Sequence, residues 1–230
     1  MQKKSSLFLV LSGIIIVLFS SCQKIFNDEN RRGEIEYKIT YLENNFDNFS
    51  TNLLPKKMKL TYNNHFSKNT IESFMGIFVL SNISNTKNAT NVTLLKFMDN
   101  KFYHETSKNE HACFFYGFND IDIKFTDGTR DIAGFKCKKA IAEFPNNDQP
   151  GFDIYYTEDI PIKSPNKNTP FEKIGGVLME FQMKMDGLEM KLTADSYKTN
   201  AVSTEEFDIP SQYHPISKDK MQEIITALLQ

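Results

Sequence analysis

The side chains able to do chemistry are few, and their spacing limits what they can do. Cys113 and Cys137 lie on runs that read as neighbouring strands. A disulfide between them would close a loop of about two dozen residues and stabilise the fold by about 3 kcal/mol. Two small buried thiols are the other reading, and sequence supplies no Cα separation to decide. Neither cysteine has a His–carboxylate pair beside it, so neither reads as a nucleophile. His104-Glu105 and Glu110-His111 flank the polar stretch Thr106–Asn109. Facing each other across a hairpin they would offer two imidazoles and two carboxylates to a divalent metal. Their spacing matches no compact metal signature, so the reading taken is a solvated, charged tip. The carboxylate pairs Glu158-Asp159 and Glu205-Glu206 sit in turn-like sequence, where paired acids are solvated and not set across a cleft. There is no Gly-Xaa-Ser-Xaa-Gly elbow, phosphate-cradling glycine loop or dinucleotide fingerprint. No catalytic residue, metal or cofactor is therefore expected.

The richer signal is apolar. In Glu180–Ala194 the dipeptide Asp186-Gly187 is a favoured two-residue hairpin turn. Closing it pairs Met185 with Leu188, Met183 with Met190 and Phe181 with Leu192 on one face. The other face sets Lys184 opposite Glu189 and Gln182 opposite Lys191, so both faces agree on one register. With Met179, these residues form a methionine-heavy surface: Met179, Phe181, Met183, Met185, Leu188, Met190 and Leu192. Flexible, polarisable methionines suit varied apolar ligands. The same pattern also describes plain core beneath a covering helix.

The elements that position this face are mostly strands. Ile35, Tyr37, Ile39 and Tyr41 alternate with Glu36, Lys38 and Thr40, the period of a half-buried strand. Shorter β-like runs are expected at Met58–Tyr62, Met75–Ile83, Val92–Met98, Cys113–Phe118, Ile121–Phe125, Phe135–Phe144 and Phe152–Thr157, separated by Asn-rich turns. Strand–turn spacing without helical periods predicts an antiparallel meander. Ser217 can cap a helix over Lys218–Leu229, whose apolar stripe Met221, Ile224, Ile225, Leu228 and Leu229 must bury itself against the sheet. The 230 residues carry 27 Lys+Arg against 29 Asp+Glu, a balance that removes the electrostatic case for a nucleic-acid partner. Twenty phenylalanines without a tryptophan favour a thick apolar interior over an exposed sugar-stacking platform.

The first residues read as an address. Lys3 and Lys4 precede the uncharged run Leu7–Phe19, too short to span a bilayer and suited to a secretory signal. The segment ends Leu18-Phe19-Ser20-Ser21-Cys22, which resembles the lipobox of bacterial lipoproteins, in its permissive form that of the Bacteroidetes. The resemblance implies cleavage after residue 21 and diacylation of Cys22, and two acyl chains hold a protein stably. The mature chain would carry 25 positive against 29 negative charges. Residues 22–32 read as a polar tether, and 33–230 as one domain including helix 217–229. The expected partner is the membrane through these acyl chains, and the expected location is the cell envelope, at the outer membrane, with both orientations open.

Three further stretches carry a resemblance: Gly134–Ala140 followed by Asp153–Thr157, Gly175–Glu180 with the methionine hairpin, and Phe207–Pro210 with Tyr213. Their order resembles an uncharacterised family of Bacteroidetes lipoproteins related to one named for a Gly-Leu-Pro-Gly-Leu-Ile motif, although that motif's position reads Gly175-Gly176-Val177-Leu178-Met179-Glu180 here. Those families are similar in fold to the lipoprotein carriers LolA and LolB. The resemblance implies a mainly β fold, a curved antiparallel half-barrel with a C-terminal helix over one face. It also implies an apolar cavity, and together with the methionine face this makes a hydrophobic ligand, an acyl chain or lipoprotein segment, the expected occupant of the concave face. A structural or protein-interaction lipoprotein whose interior is filled by its own side chains is the alternative, and a hydrolase the remote one.

Overall fold

The computed structural model describes residues 32–44, 54–106, 110–115, 121–145, 150–185 and 188–229. Cys22, the signal segment, nearly all of the tether and the Asp186-Gly187 turn lie outside these residues. Twelve strands form a single sheet: β1 (Gly33–Asn44), β2 (Lys57–Tyr62), β3 (Phe66–Glu72), β4 (Phe78–Asn85), β5 (Thr90–Phe97), β6 (Asn100–Thr106), β7 (Asp122–Ile132), β8 (Phe135–Glu143), β9 (Phe152–Thr157), β10 (Val177–Met185), β11 (Leu188–Lys198) and β12 (His214–Pro215). Their order is β12-β6-β5-β4-β3-β2-β1-β11-β10-β9-β8-β7, antiparallel throughout except for the short parallel pair β12–β6. Among the described residues one α-helix, α1 (Lys218–Leu229), follows the strands.

The hairpin register is as the residue pattern predicts: Met185 opposite Leu188, Met183 opposite Met190 and Phe181 opposite Leu192. On the other face Lys184 Nζ lies 2.6 Å from Glu189 Oε1. Helix α1 occupies the expected residues. The Ser217 hydroxyl accepts from the Lys220 N–H at 3.2 Å, which supplies one of the donors the first turn leaves free. Between β7 and β8, Ala133 and Gly134 both take positive φ (49° and 83°), as a two-residue turn matched to strand twist demands.

Three expectations are corrected. The strand expected at Cys113–Phe118 is not seen in its first half, where Cys113–Phe115 form a single 3₁₀ turn; 116–118 lie outside the described residues. Strands β3 and β6 were not anticipated, because their inward positions are largely polar and break the alternation that marks a buried face. Helix α1 does not roof the methionine hairpin: it packs on β6 and the 113–115 turn, with Met221 and Ile225 buried there.

The sheet is open but strongly coiled. Flat, β7 and β11 would stand about 19 Å apart, four strand spacings. Instead their Cα atoms approach within 8 Å, and the rings of Phe135 (β8) and Tyr197 (β11) meet edge to face at 5.0 Å. The free edge β7 is protected against pairing with other chains by Asp122, Lys124, Asp127, Arg130 and Asp131 and by a register break between Phe125 and Thr129. The coil gathers one continuous core on its inner face. On the outer face of β3–β6, residues 202–213 lie as a strap, with Phe207 stacked on Phe66 at 5.4 Å and packed over Ile83 and Leu94.

Candidate functional site

The inner face has two territories. The first is the apolar wall of β1, β10 and β11. All seven residues read as a ligand face (Met179, Phe181, Met183, Met185, Leu188, Met190 and Leu192) are 0–3% exposed. Their cover is the chain itself. Phe171, fully buried, meets Phe181 at 5.8 Å, Phe115 at 6.2 Å and Phe152 at 6.5 Å, each near perpendicular. Phe181 in turn meets the ring of Tyr37 at 5.9 Å, and the Tyr37 hydroxyl donates to Leu178 O at 2.8 Å.

Phe171 belongs to the long connection between β9 and β10, and amide side chains fix that connection in place. Asn166 Nδ2 donates to Ile174 O (2.7 Å) and Gly176 O (2.9 Å), closing the loop on itself. Thr169 Oγ1 donates to Asn166 O at 2.8 Å and accepts from the Phe171 N–H at 3.1 Å. Asn168 Nδ2 reaches across to Ala89 O at the β4–β5 turn, 2.8 Å away. A loop with its buried polar groups satisfied in this way is a built lid.

The second territory is polar. Strand register places Ser67, Ser84, Asn91 and Thr106 in one row across β3–β6, and Asn69, Asn82, Thr93 and His104 in the next. Successive inward positions are two residues apart, so both rows share the face that carries Ile71, Leu80, Leu95 and Phe102. Asn82 and Thr93 are 0% exposed and Asn91 1%. Within the rows, Asn82 Nδ2 donates to Ser84 Oγ (3.1 Å), which donates to Asn91 Oδ1 (2.5 Å). His104 Nδ1 pairs with Ile216 O at 3.0 Å; a carbonyl only accepts, so Nδ1 carries the hydrogen. Among the described residues, five buried side-chain atoms remain without a hydrogen bond: Asn82 Oδ1, Asn91 Nδ2, Thr93 Oγ1, His104 Nε2 and Thr106 Oγ1. Each such atom costs about 1–3 kcal/mol relative to a satisfied one. A small cavity of about 30 Å³ borders the rows, with Ser67, Asn69 and Ser84 on one side and Phe115, Tyr37 and Phe181 on the other.

Cys113 and Cys137 are free, buried thiols, so of the two readings the buried thiols hold and the disulfide is not made. Cys113 sits on the 113–115 turn against Thr93, a weak sulfur contact that leaves the Thr93 oxygen without a hydrogen bond of ordinary geometry. Cys137 is on β8, its Sγ 3.4 Å from Phe135 O. Burial pushes the Cys113 thiol up, and the Cys137 thiol up to about 11. At pH 8 the reactive thiolate is then about a thousandth of Cys137. Native protein should resist iodoacetamide at pH 8 at both positions and take two labels per mature Cys22→Ala chain once denatured. Rapid native labelling, or no labelling without reductant, would contradict this placement.

The remaining candidates are dispersed. Glu110 pairs with Lys218 at 3.2 Å beside α1, whereas His104 is turned to the segment before α1, so the four-residue cluster does not assemble. Among the described residues no group of three or more His, Cys, Asp or Glu is placed to hold a metal. Glu158 is tied to Lys138 at 2.7 Å with both groups exposed, and Glu205 and Glu206 lie exposed on a 3₁₀ turn. The polar rows were missed in the sequence because alternation in Ser81–Asn85 and Asn91–Leu94 assigns Asn and Thr to water. The signal that finds them is the polar run recurring in register on four consecutive strands.

Fold and interior together define a class: an open, coiled, mainly β sheet with an interior closed by its own loops and helix. No family model and no curated protein matches the chain. Among solved structures it is similar to PNGF-II, with a TM-score of 0.53 and 15% identity, over 84% of this chain and 32% of that one. The chain thus spans about a third of that protein's length, and the likeness is one of fold.

Proposed function

We propose that this chain is a non-enzymatic envelope lipoprotein, held by acyl chains on Cys22 and spaced from the bilayer by residues 22–32. Its domain is a LolA/LolB-like half-barrel with a structural or protein-interaction role, and its apolar wall is the domain's own core. The observation that carries this reading is the filled wall: Phe171 and its neighbours already occupy the surface an acyl chain would need. An acyl chain gains about 25 cal/mol per Å² only where apolar area is left for it to cover.

One observation favours a second reading, carriage of an acyl chain. The cover over Phe181 is loop rather than sheet, and a loop can be displaced. Native mass spectrometry separates the two, using the mature chain with Cys22→Ala exported to a bacterial periplasm. The proposal expects a single apo mass, unchanged after incubation with fatty acid or phospholipid. A co-purifying lipid would overturn it in favour of carriage.

A further inference from the structure

We infer that one end of the sheet, the end carrying the β3–β4 and β5–β6 turns, docks on an anionic phospholipid bilayer. Met75, Ile77 and Met98 enter the interface, and a row of lysines behind them meets the headgroups. The inference goes beyond the lipoprotein reading: it gives the domain a membrane contact of its own, independent of acyl chains on Cys22. Large apolar side chains are exposed at five described positions, and four of them lie at this end: Leu42, Met75, Ile77 and Met98. Met75 is 81% exposed, Met98 60% and Ile77 45%. The Met98 N–H donates to Ile77 O at 2.8 Å, so the two turns are joined and their three side chains form one patch. Single apolar residues scattered over a surface need no explanation, but a patch gathered at loop tips marks a contact.

The tips are built to hold these side chains out. Met75 and Met98 both take positive φ (58° and 54°), backbone that L side chains rarely adopt and glycine adopts freely. Ser73 fastens the first turn: its N–H donates to Phe78 O at 2.9 Å and its hydroxyl accepts from the Phe78 N–H at 3.0 Å. Behind the tips, strand register sets Lys38, Lys57, Glu72, Val79, Lys96 and Lys101 in one outward row across β1–β6. Lys38 stands opposite Lys57 and Lys96 opposite Lys101, like-charge pairs that cost stability in water. Lys56 is exposed beside them. The acids around the row are Glu36, tied to Lys57 at 2.5 Å, Asp195, Glu72 and Asp99. Among the described residues Lys38, Lys56, Lys96 and Lys101 have no ion pair, and an anionic headgroup layer supplies the missing partner. The anchoring bilayer is within reach. Residues 23–32 span at most about 36 Å when extended. From Ser67, in the row of Gly33, to Glu72 the strand rises about 17 Å, and the tips add less than about 10 Å. The contact is with a bilayer surface and seats no single lipid in a cavity, so the apo mass expected above stands.

The test uses the full mature chain with Cys22→Ala, which removes the acyl anchor, and phosphatidylcholine vesicles with or without phosphatidylglycerol. Flotation should recover the protein with the phosphatidylglycerol vesicles, and at least about tenfold less of it with phosphatidylcholine alone. Binding should weaken as salt rises from about 0.05 M to 0.5 M. The double variant Met75→Gly, Met98→Gly should bind at least about tenfold more weakly with Tm within about 3 °C of the parent, since glycine suits both positive-φ positions. Lys96→Gln with Lys101→Gln should weaken binding to the anionic vesicles about tenfold and leave the phosphatidylcholine result unchanged. Equal recovery with both kinds of vesicle, or none with either, would overturn the inference, as would undiminished binding by the glycine variant. Self-association of the parent chain in place of vesicle binding, abolished by the same glycines, would overturn it in favour of an interface between copies. Each of these failures leaves the lipoprotein reading standing, because that reading falls to a co-purified lipid in the native mass and not to vesicles.

Discussion

Phe171→Ala is expected to destabilise the domain by about 3–5 kcal/mol, the cost of deleting a fully buried aromatic whose site cannot collapse. The residue is the hub of the interior: Phe115, Phe152 and Phe181 all pack on its edge or face. Truncation would leave a cavity lined by three rings, and the Asn166–Thr169 hydrogen bonds would hold the loop from closing over it. Against a typical total of about 5–15 kcal/mol, such a loss puts the variant close to unfolding. Chemical denaturation should show a lower midpoint with little change in slope. A loss under about 1 kcal/mol would mean the β9–β10 connection is draped on the sheet and is not part of the core.

Met183→Glu should be worse, at least about 4 kcal/mol at neutral pH. Met183 is 1% exposed and paired across the hairpin with Met190, so a carboxylate there enters an apolar wall that holds no cation. Burial raises the pKa of the new carboxyl in the folded state above its unfolded value of about 4.3. The part of the penalty that comes from ionisation is therefore absent below that value, grows as pH rises from it to the folded-state pKa and levels off above. Soluble, folded protein should be recovered more readily at acid pH than at pH 7. On an open ligand face the same substitution would be tolerated, with a change under about 1 kcal/mol and no pH dependence. The neighbouring change Lys184→Gln, on the outward face, should cost little, since the pair it breaks with Glu189 is partly solvated.

What was legible in the sequence was legible for a reason. The hairpin at 181–192 declared its register because its two faces carry unlike chemistry, and only one pairing keeps methionine and phenylalanine together while matching Lys184 to Glu189. Helix α1 announced itself by a capping serine and a stripe of period 3.6. The failures share a cause as well. Alternation says which residues face alike, not which side faces water. In β4 and β5 the apolar side chains Ile83, Val92 and Leu94 turn outward under the 202–213 strap, while Asn82, Ser84, Asn91 and Thr93 turn inward. A polar inner face looks like a solvated one until the coil of the sheet is known. Phe171 was hidden for a different reason. It sits in a Pro- and Asn-rich stretch that reads as an ordinary surface loop, and only the aromatic contacts of the folded chain reveal that it fills the interior.

The cysteines were misjudged through the same dependence on tertiary structure. Sequence placed Cys113 on a strand beside that of Cys137, but it lies on a 3₁₀ turn against β4, and the sheet coils so that Cys137 faces a different part of the core. Spacing in the chain carried no information about either event.

A high-resolution crystal structure of the mature protein, purified from a periplasm without added lipid, tests the closed interior most directly. The account predicts that side chains alone fill the wall from Met183 to Met190 beneath Phe171. Ordered waters should be bonded to the unpartnered atoms of Asn82, Asn91, Thr93, His104 and Thr106. Continuous elongated density along the methionines, with Phe171 displaced, would contradict it and make the domain a carrier of apolar chains.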